Sequence, residues 1–296
     1  MRLRFLTFLV AFSTVIFGFP AVFQEDSPSP GPSLQLHYRS LQPGEAVKVI
    51  MRADAGARSA QISFIEKKTL LVPGEKPGDF FGFVGIDLGL KPGTYPMRIA
   101  CVYPDGTAKE LLREIHIQQK IFPLSRLRVP QQYVTPPAEE IERIRLEAEL
   151  VAEIYRMFTH EWMGEGSFIL PSEGEVNPNF GERRIFNDLP RSPHSGVDIA
   201  SPFGSPVKAS NTGRVVLAHS LYFAGKSVII DHGLGVFTFY CHLSQIKVHR
   251  GQLVQKGEII GEVGATGRVT GPHLHWAVRI GGSRVDPFSM ISLTSD

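Results

Sequence analysis

His273 and His275, separated by Leu274, form the pattern in this sequence with the clearest capacity for chemistry. Their surroundings are typical of a β-strand, in which successive side chains point to opposite faces. Both imidazoles would therefore project into one space, while Leu274 and Trp276 face the other way. Such a pair can hold a metal ion, or one imidazole can bind metal while the other moves a proton. Because histidine is also an ordinary strand residue, the pair alone does not separate these roles from a structural one.

A second pattern upstream places an imidazole and a carboxylate four positions apart, at His194 and Asp198. Ser195 and Gly196 between them permit a tight bend that would bring the two side chains together. Together with His275 they would supply two nitrogens and one oxygen. That donor set is typical of a catalytic zinc site, in which the fourth position stays open.

A third cluster, Tyr240-Cys241-His242, follows the apolar run 236–239. Strand alternation predicts that Tyr240 and His242 share a face and that Cys241 lies on the opposite one. We therefore interpret Cys241 as a packed thiol rather than as a nucleophile paired with His242.

Taken in chain order, the three histidine motifs at His194, His242 and His273 resemble those of the lysostaphin/LytM-type zinc endopeptidases, which cut peptidoglycan cross-links. The resemblance covers roughly residues 168–290 and includes the segments 180–184, 196–200, 206–209, 231–235 and 264–267. It implies one zinc ion held by His194, Asp198 and His275. It also implies His273 as general base and His242 as an aid to the oxyanion or to proton transfer, although the residues alone leave these two roles open.

Three further residues are candidates for contact with substrate. Tyr240 is a possible wall of the groove, and Arg184 and Asn187 stand in what reads as a surface loop. Arg184 and Asn187 fit a salt-bridged scaffold equally well. We expect the groove loops 189–193 and 220–224 to set which bond is cut.

The first half of the chain reads as a β-sandwich of immunoglobulin-like type over residues 34–120. Short strands alternate there with Pro-Gly and Pro-Asp-Gly turns. The predicted strands are 34–38, 46–52, 60–65, 69–72, 79–87, 95–102 and 111–117. No catalytic constellation falls in this region, so substrate binding, positioning, blocking of the neighbouring site and a spacer role remain open.

A linker over 121–167 is predicted to contain one long helix, 136–160, with Thr135 as N-cap and Pro136 in the first helical position. An apolar stripe at helical spacing should pack on one or both domains. It comprises Ile141, Ile144, Ala148, Val151, Tyr155 and Phe158.

The remainder, 168–296, is rich in strands and glycine and predicts an antiparallel β-sheet domain. The family resemblance implies that its open groove carries the metal. Expected strands are 207–209, 214–218, 227–231, 236–242, 258–263 and 274–280. The stretch 251–267 also resembles the half-barrel of biotinyl and lipoyl domains, but it lacks their Met-Lys-Met or Asp-Lys-Ala loop.

The N-terminus predicts export. A basic start precedes an apolar span over 5–23, so residues 1–24 read as a secretory signal, with an uncleaved membrane anchor as the alternative. A Ser/Pro linker follows over 25–33. We expect a periplasmic or cell-envelope location.

Length, charge and cysteine content limit the number of domains, the partners and the cysteine chemistry to be expected. A chain of 296 residues with 43% hydrophobic residues suggests about two domains. The net charge of +2, without a basic run, does not suggest nucleic acid. Cys101 and Cys241 lie too far apart in sequence to suggest a disulfide framework or a zinc knuckle. Oligomeric state is not readable from the sequence.

These observations predict a zinc endopeptidase that hydrolyses peptidoglycan peptides with a metal-activated water. The alternative is a catalytically silent or autoinhibited wall-binding regulator of the same fold. The full set of metal ligands argues against that alternative.

Overall fold

The computed structural model describes residues 21–23, 32–53, 56–74 and 76–294. The described part of the chain is mostly β, as the sequence predicts, with 46% of it in strands and 12% in helices. Within the described ranges, no helix has both the length and the apolar character needed to cross a membrane. The predicted signal or anchor over 1–24, and most of the predicted linker over 25–33, lie outside the described residues, apart from a short strand at Ala21–Phe23.

The N-terminal sheet consists of eight antiparallel strands. Their bounds are β1 (Ala21–Phe23), β2 (Ser33–Tyr38), β3 (Ala46–Arg52), β4 (Ser59–Phe64), β5 (Lys67–Pro73), β6 (Asp79–Gly85), β7 (Gly93–Val102) and β8 (Ala108–Ile117). They follow the spatial order β1-β2-β3-β6-β5-β4-β7-β8. All seven strands predicted in this region are confirmed, with small differences at their ends.

One buried cluster holds this sheet together. Leu34 on β2 and Ile117 on β8 belong to the same cluster, although five strands separate β2 from β8 in the sheet order. The sheet therefore curls over itself and encloses a core. Alternate residues of β4 supply that core, since Ala60, Ile62 and Phe64 are buried.

The long helix is shorter than predicted at both ends: α1 spans Ala138–Arg156. Thr135 is not its N-cap. Pro137 occupies that position without a side-chain cap, because the proline after Pro136 disfavours a helical conformation at Pro136 itself. The helix ends where Met157 becomes extended.

The predicted apolar stripe packs only along its C-terminal part. Val151 and Tyr155 lie against a cluster that includes Ile154 and Phe237. Ile141, at the other end of the stripe, is 58% exposed. The helix is therefore attached to the C-terminal sheet mainly through its last two turns.

The C-terminal region contains a ten-stranded sheet, a small three-stranded sheet and one more helix. The strands are β9 (Leu124–Leu127), β10 (Glu175–Asn177), β11 (Arg183–Phe186), β12 (Leu189–Arg191), β13 (Val197–Ala200), β14 (Pro206–Lys208), β15 (Gly213–Leu221), β16 (Gly225–Asp231), β17 (Val236–Ile246), β18 (Leu253–Val254), β19 (Ile259–Val263), β20 (Leu274–Ile280) and β21 (Ser283–Val285). The helix α2 spans Pro287–Thr294, which the sequence analysis missed.

The ten-stranded sheet has the main order β10-β13-β20-β17-β16-β15-β18, with β14, β19 and β21 attached beside this path. Its pairings are antiparallel, as predicted. The small sheet has the order β12-β11-β9, and β9 runs parallel to β11.

The two large sheets share buried contacts. Phe83 on β6 belongs to the same apolar cluster as Trp276 on β20. Arg39 bridges Glu45 and Asp286, at 2.7 and 2.6 Å. The N-terminal sheet is therefore packed directly on the C-terminal region.

Candidate metal centre

The centre is built on two adjacent antiparallel strands, β13 and β20. Asp198 lies directly opposite His275 in their register, and Val197 lies opposite Trp276. Val197 and Trp276 are both buried in the core. Because paired residues share a face and neighbours alternate, the core side chains hold Asp198 and His275 on the other face of the sheet.

Three donor atoms meet at this point. His194 Nε2 lies 2.8 Å from His275 Nδ1 and 3.2 Å from Asp198 Oδ1, and His275 Nδ1 lies 2.9 Å from the same oxygen. Ligands held about 2.0–2.1 Å from zinc in tetrahedral geometry lie roughly 3.4 Å from one another. The triangle is slightly tighter than that, so a small outward movement of the side chains would admit the ion. The donor set fits zinc.

Asn179 orients two of these groups. Its backbone oxygen accepts a hydrogen bond from His194 Nδ1 at 3.1 Å, which leaves Nε2 of that ring free to act as a ligand. Its side-chain amide donates to Asp198 Oδ2 at 2.8 Å, and Arg184 donates to the same oxygen at 3.2 Å. Asp198 thus keeps Oδ1 for the centre.

The electrostatics keep Asp198 ionised. Burial alone would raise the pKa of its carboxyl, but the close contacts of the carboxylate with the His194 and His275 rings lower that pKa well below its ordinary value. Burial lowers the pKa of His275 to about 4. A charged carboxylate beside a neutral imidazole is the protonation state that a metal requires of its ligands.

His242 and His273 stand beside the triad. Their rings are 5.0 Å apart, and His273 Nε2 lies 3.8 Å from Asp198 Oδ1. His273 Nδ1 donates to Gly271 O at 2.9 Å, and His242 Nδ1 donates to Thr266 O, also at 2.9 Å. Since a carbonyl oxygen can only accept, each neutral ring carries its proton on Nδ1 and presents a bare Nε2.

His242 does not reach this position by regular strand alternation. Cys241 pairs with His275, so the thiol lies on the face of the metal centre, and regular alternation would turn His242 towards the core. Cys241 and His242 instead face the single residue Ser227 across a β-bulge, and His242 has a left-handed φ of 65°. The bulge turns the imidazole back to the centre.

The prediction that Tyr240 and His242 share a face is therefore wrong, and so is the prediction that Tyr240 lines the groove. Tyr240 pairs with Trp276 on the core face and is fully buried. Its hydroxyl accepts a hydrogen bond from Ser210 N at 2.8 Å. Tyr240 supports the strand from beneath.

Burial, together with the nearby rings of His275 and His273, lowers the pKa of His242 to about 3. A neutral His242 can accept a proton through its bare Nε2. In contrast, burial raises the pKa of the Cys241 thiol, which is therefore not a nucleophile here.

Gly196 lies in a bend, as predicted, and it also allows close packing. A Cβ at this position would lie 2.4 Å from Trp276 O and 2.8 Å from His275 Cε1. Its φ is not in the left-handed region, unlike that of many glycines in the chain. The absence of a side chain lets the His194 loop approach β20.

The other two candidates for substrate contact are held by the protein itself. Arg184 binds Glu182 and Asp198, both at 3.2 Å. The side chain of Asn187 accepts a hydrogen bond from Val129 N at 3.1 Å and donates one to Val129 O at 3.0 Å. It also donates to the side chain of Gln131. Asn187 anchors the segment before α1, which is the scaffold role that the sequence left open for it beside substrate contact.

That segment, 124–135, crosses both predicted groove loops. Beyond β9, the hydroxyl of Tyr222 donates to Gln132 O at 3.0 Å, and Arg191 donates to Val134 O at 2.6 Å. The chain between the two large sheets therefore holds the loops 189–193 and 220–224 in place.

The sequence analysis missed Asn179. It falls one residue before the segment 180–184 that carries part of the family resemblance. A polar residue just ahead of a matching segment was the only available signal, because its role depends on contacts with residues 15 and 19 positions away.

Comparison with known proteins agrees with this arrangement. Residues 192–287 match the model of Peptidase family M23. Peptidoglycan DD-endopeptidase ShyA of Vibrio cholerae is 44% identical over 116 residues, which cover 39% of this chain and 27% of the relative. DD-carboxypeptidase/endopeptidase Mpg of Neisseria meningitidis is 46% identical over 97 residues, 33% of this chain and 22% of the relative. The chain thus spans about a quarter of the length of these curated relatives.

A solved structure from Pseudomonas aeruginosa, described as peptidase M23, extends the similarity to most of the chain. It is 30% identical with a TM-score of 0.66, and the match covers 86% of this chain and 96% of that one. A two-histidine, one-carboxylate donor set on an antiparallel sheet defines a metallohydrolase type of site. The chain belongs to peptidase family M23.

Proposed function

We propose that this protein is a zinc-dependent endopeptidase that hydrolyses peptide cross-links of peptidoglycan. The observation that carries the proposal is the triangle of His194 Nε2, Asp198 Oδ1 and His275 Nδ1, with two bare imidazole nitrogens beside it. The names of ShyA and Mpg support the substrate class. The completeness of the set weighs against a silent regulator.

His194, Asp198 and His275 would hold one zinc ion. When bound, zinc supplies Lewis acidity, which polarises the scissile carbonyl and makes water acidic enough to attack near neutral pH. His273 takes a proton from the attacking water through Nε2, since its Nδ1 is committed to Gly271 O. His242 accepts or relays a proton, and once protonated it can donate to the oxyanion or to the leaving amine.

We further propose that residues 34–120 are an immunoglobulin-like sandwich, that 121–167 is a linker and that 168–296 is the peptidase domain with an open groove. The antiparallel pairing and the single enclosed core of the first sheet support the sandwich. Its role would be to support the peptidase through the shared core and through segment 124–135. Export to the periplasm or cell envelope follows from the proposed substrate and from the apolar N-terminal sequence.

The test is hydrolysis of purified peptidoglycan by the full chain, with the released fragments identified by mass spectrometry. We expect cross-linked fragments to be split into monomers, activity to disappear on chelation, and stoichiometric zinc to restore it. A zinc-loaded chain that binds peptidoglycan but releases no fragments would contradict the enzyme and favour the regulator.

A further inference from the structure

Arg268 has an unusual environment on the loop that leads into β20. Its guanidinium carbon lies 4.6 Å from the ring centre of Phe223 and 5.1 Å from that of Phe186. The side chain is half-buried between these rings, and its backbone N–H donates to Phe223 O at 2.8 Å. Arg268 is thus fixed between strand β11, which carries Phe186, and the groove loop 220–224, which carries Phe223.

No carboxylate among the described residues forms an ion pair with Arg268. The charges that act on it most strongly are also positive. Burial, followed by the charges of Arg191 and Arg184, lowers the pKa of Arg268 to about 10. Arg184 is neutralised by Glu182 and Asp198. Arg191 donates to Val134 O, and its Nε is buried without a hydrogen-bond partner.

Two arginines therefore stand together without an anionic partner among the described residues. A half-buried guanidinium costs free energy unless it is paired, and the two phenylalanine rings offset only part of that cost. An anion arriving from outside would find a desolvated, preoriented donor with several N–H groups.

This position adjoins the metal centre. Thr266, two residues before Arg268, accepts the hydrogen bond from His242. Arg184, whose charge acts on Arg268, donates a hydrogen bond to Asp198. A peptide whose scissile amide lies at the triad would pass close to β11, which carries Phe186, and to the loop 220–224, which carries Phe223. The missing anion can therefore belong to the substrate.

We propose that Arg268, held between Phe186 and Phe223 and assisted by Arg191, binds a carboxylate of the peptide substrate near the scissile bond. The inference rests on the proposed peptidase function and assigns a specificity determinant to it. Peptides with a free carboxylate there are preferred over those in which it is an amide. The carboxylate could be the one beside the scissile bond or the C-terminal one of the short peptide.

The test measures binding, so that it does not depend on turnover. Cross-link peptides with an uncleavable isostere of the scissile amide are titrated calorimetrically into the zinc-loaded full chain. Three forms are compared: the free acid, the form amidated beside the scissile bond and the form amidated at the C-terminus. We expect one amidated form to bind about 10-fold more weakly or worse, which identifies the carboxylate.

Arg268→Gln should weaken binding of the free acid by about 10- to 100-fold and leave the sensitive amidated form within about twofold. Arg268→Lys, which keeps the charge, should recover part of the loss. Arg98→Gln, in an exposed pair with Glu110 on the N-terminal sheet, is the matched control and should change nothing.

Equal binding of all three peptides by the unmodified chain would overturn the inference, even if Arg268→Gln failed to fold. An equal loss for acid and amide in the Arg268→Gln chain would also overturn it, because it would reveal a purely structural arginine. Failure of the proposed function is seen separately, as intact peptidoglycan in the hydrolysis assay.

Discussion

His194 Nε2 and His275 Nδ1 lie 2.8 Å apart although 81 positions separate the two residues. One histidine presents Nε2 and the other Nδ1. This difference follows from their supports, because Asn179 O accepts a hydrogen bond from Nδ1 of His194, whereas His275 projects from a strand directly opposite Asp198. Two backbone elements must therefore be in register before the donor triangle exists.

Loss of one donor should abolish tight metal binding. His275→Ala leaves two ligands, which cannot hold zinc against a competing chelator, and the folded chain should contain less than a tenth of an equivalent. Metal content after dialysis measures this. His219→Ala, at an exposed histidine on β15, is the control and should retain a full equivalent. Full zinc in the His275→Ala chain would remove His275 from the ligand set.

Asn179 should act as a positioning residue for the centre. Asn179→Ala keeps the backbone carbonyl that binds His194 but removes the amide that binds Asp198, so zinc affinity should fall by about 10- to 100-fold. The readout is the zinc dissociation constant in a chelator competition. Asn177→Ala, at an exposed asparagine two positions earlier, should leave that constant unchanged. Equal effects of the two substitutions would show that the amide has no special role.

His232 should make the chain sensitive to mild acid. It is fully buried between Thr212 O and Thr238 Oγ1, and burial lowers its pKa from 6.5 to about 4. The unfolded chain therefore binds the proton first, so the free energy of unfolding decreases as pH falls from about 6.5 to about 4. His232 alone contributes a slope of up to about 1.4 kcal/mol per pH unit.

Urea unfolding of the zinc-loaded chain at a series of pH values measures that slope. His232→Gln removes the titrating group, so its slope should be smaller even though the variant is less stable overall. An identical pH slope in both chains would mean that His232 titrates normally in the folded protein.

Arg39, which binds Glu45 beside it and Asp286 across the contact between the sheets, should contribute strongly to stability. Glu45 is 1% exposed and relies on Arg39 and, at 3.3 Å, on Lys120. Arg39→Ala leaves this buried carboxylate short of a partner and should cost about 3 kcal/mol in the free energy of unfolding. Arg98→Ala breaks an exposed pair and should cost less than about 1 kcal/mol. Chemical denaturation compares the two, and equal costs would contradict the buried role of the Arg39 bridge.

Periodicity alone predicted much of this architecture. The alternation in Leu274–Ile280, with buried Leu274 and Trp276 against His275, follows directly from a pleated strand. Most strands of the first sheet were predicted because turns with proline or glycine separate them, although the turn between β4 and β5, at Ile65 and Glu66, has neither. These features depend on local sequence, so the sequence contains enough information to find them.

The rest depends on which strands become neighbours. The bulge at His242 arises from the pairing with β16. Strand alternation therefore placed Tyr240 and His242 on one face wrongly, because it assumes a regular ladder. Asn179 and Arg268 acquire their roles from long-range contacts that no periodic pattern encodes. The helix start at Ala138 could have been predicted from the second of two consecutive prolines.

The most direct test of the central claim compares zinc content and peptidoglycan hydrolysis for the unmodified full chain and for His273→Ala. We predict one equivalent of zinc in both chains, and hydrolysis by the unmodified chain that falls by about 100-fold or more in the variant. Full turnover by His273→Ala would contradict the proton-transfer role of His273. An unmodified chain that binds no zinc would contradict the metal centre itself.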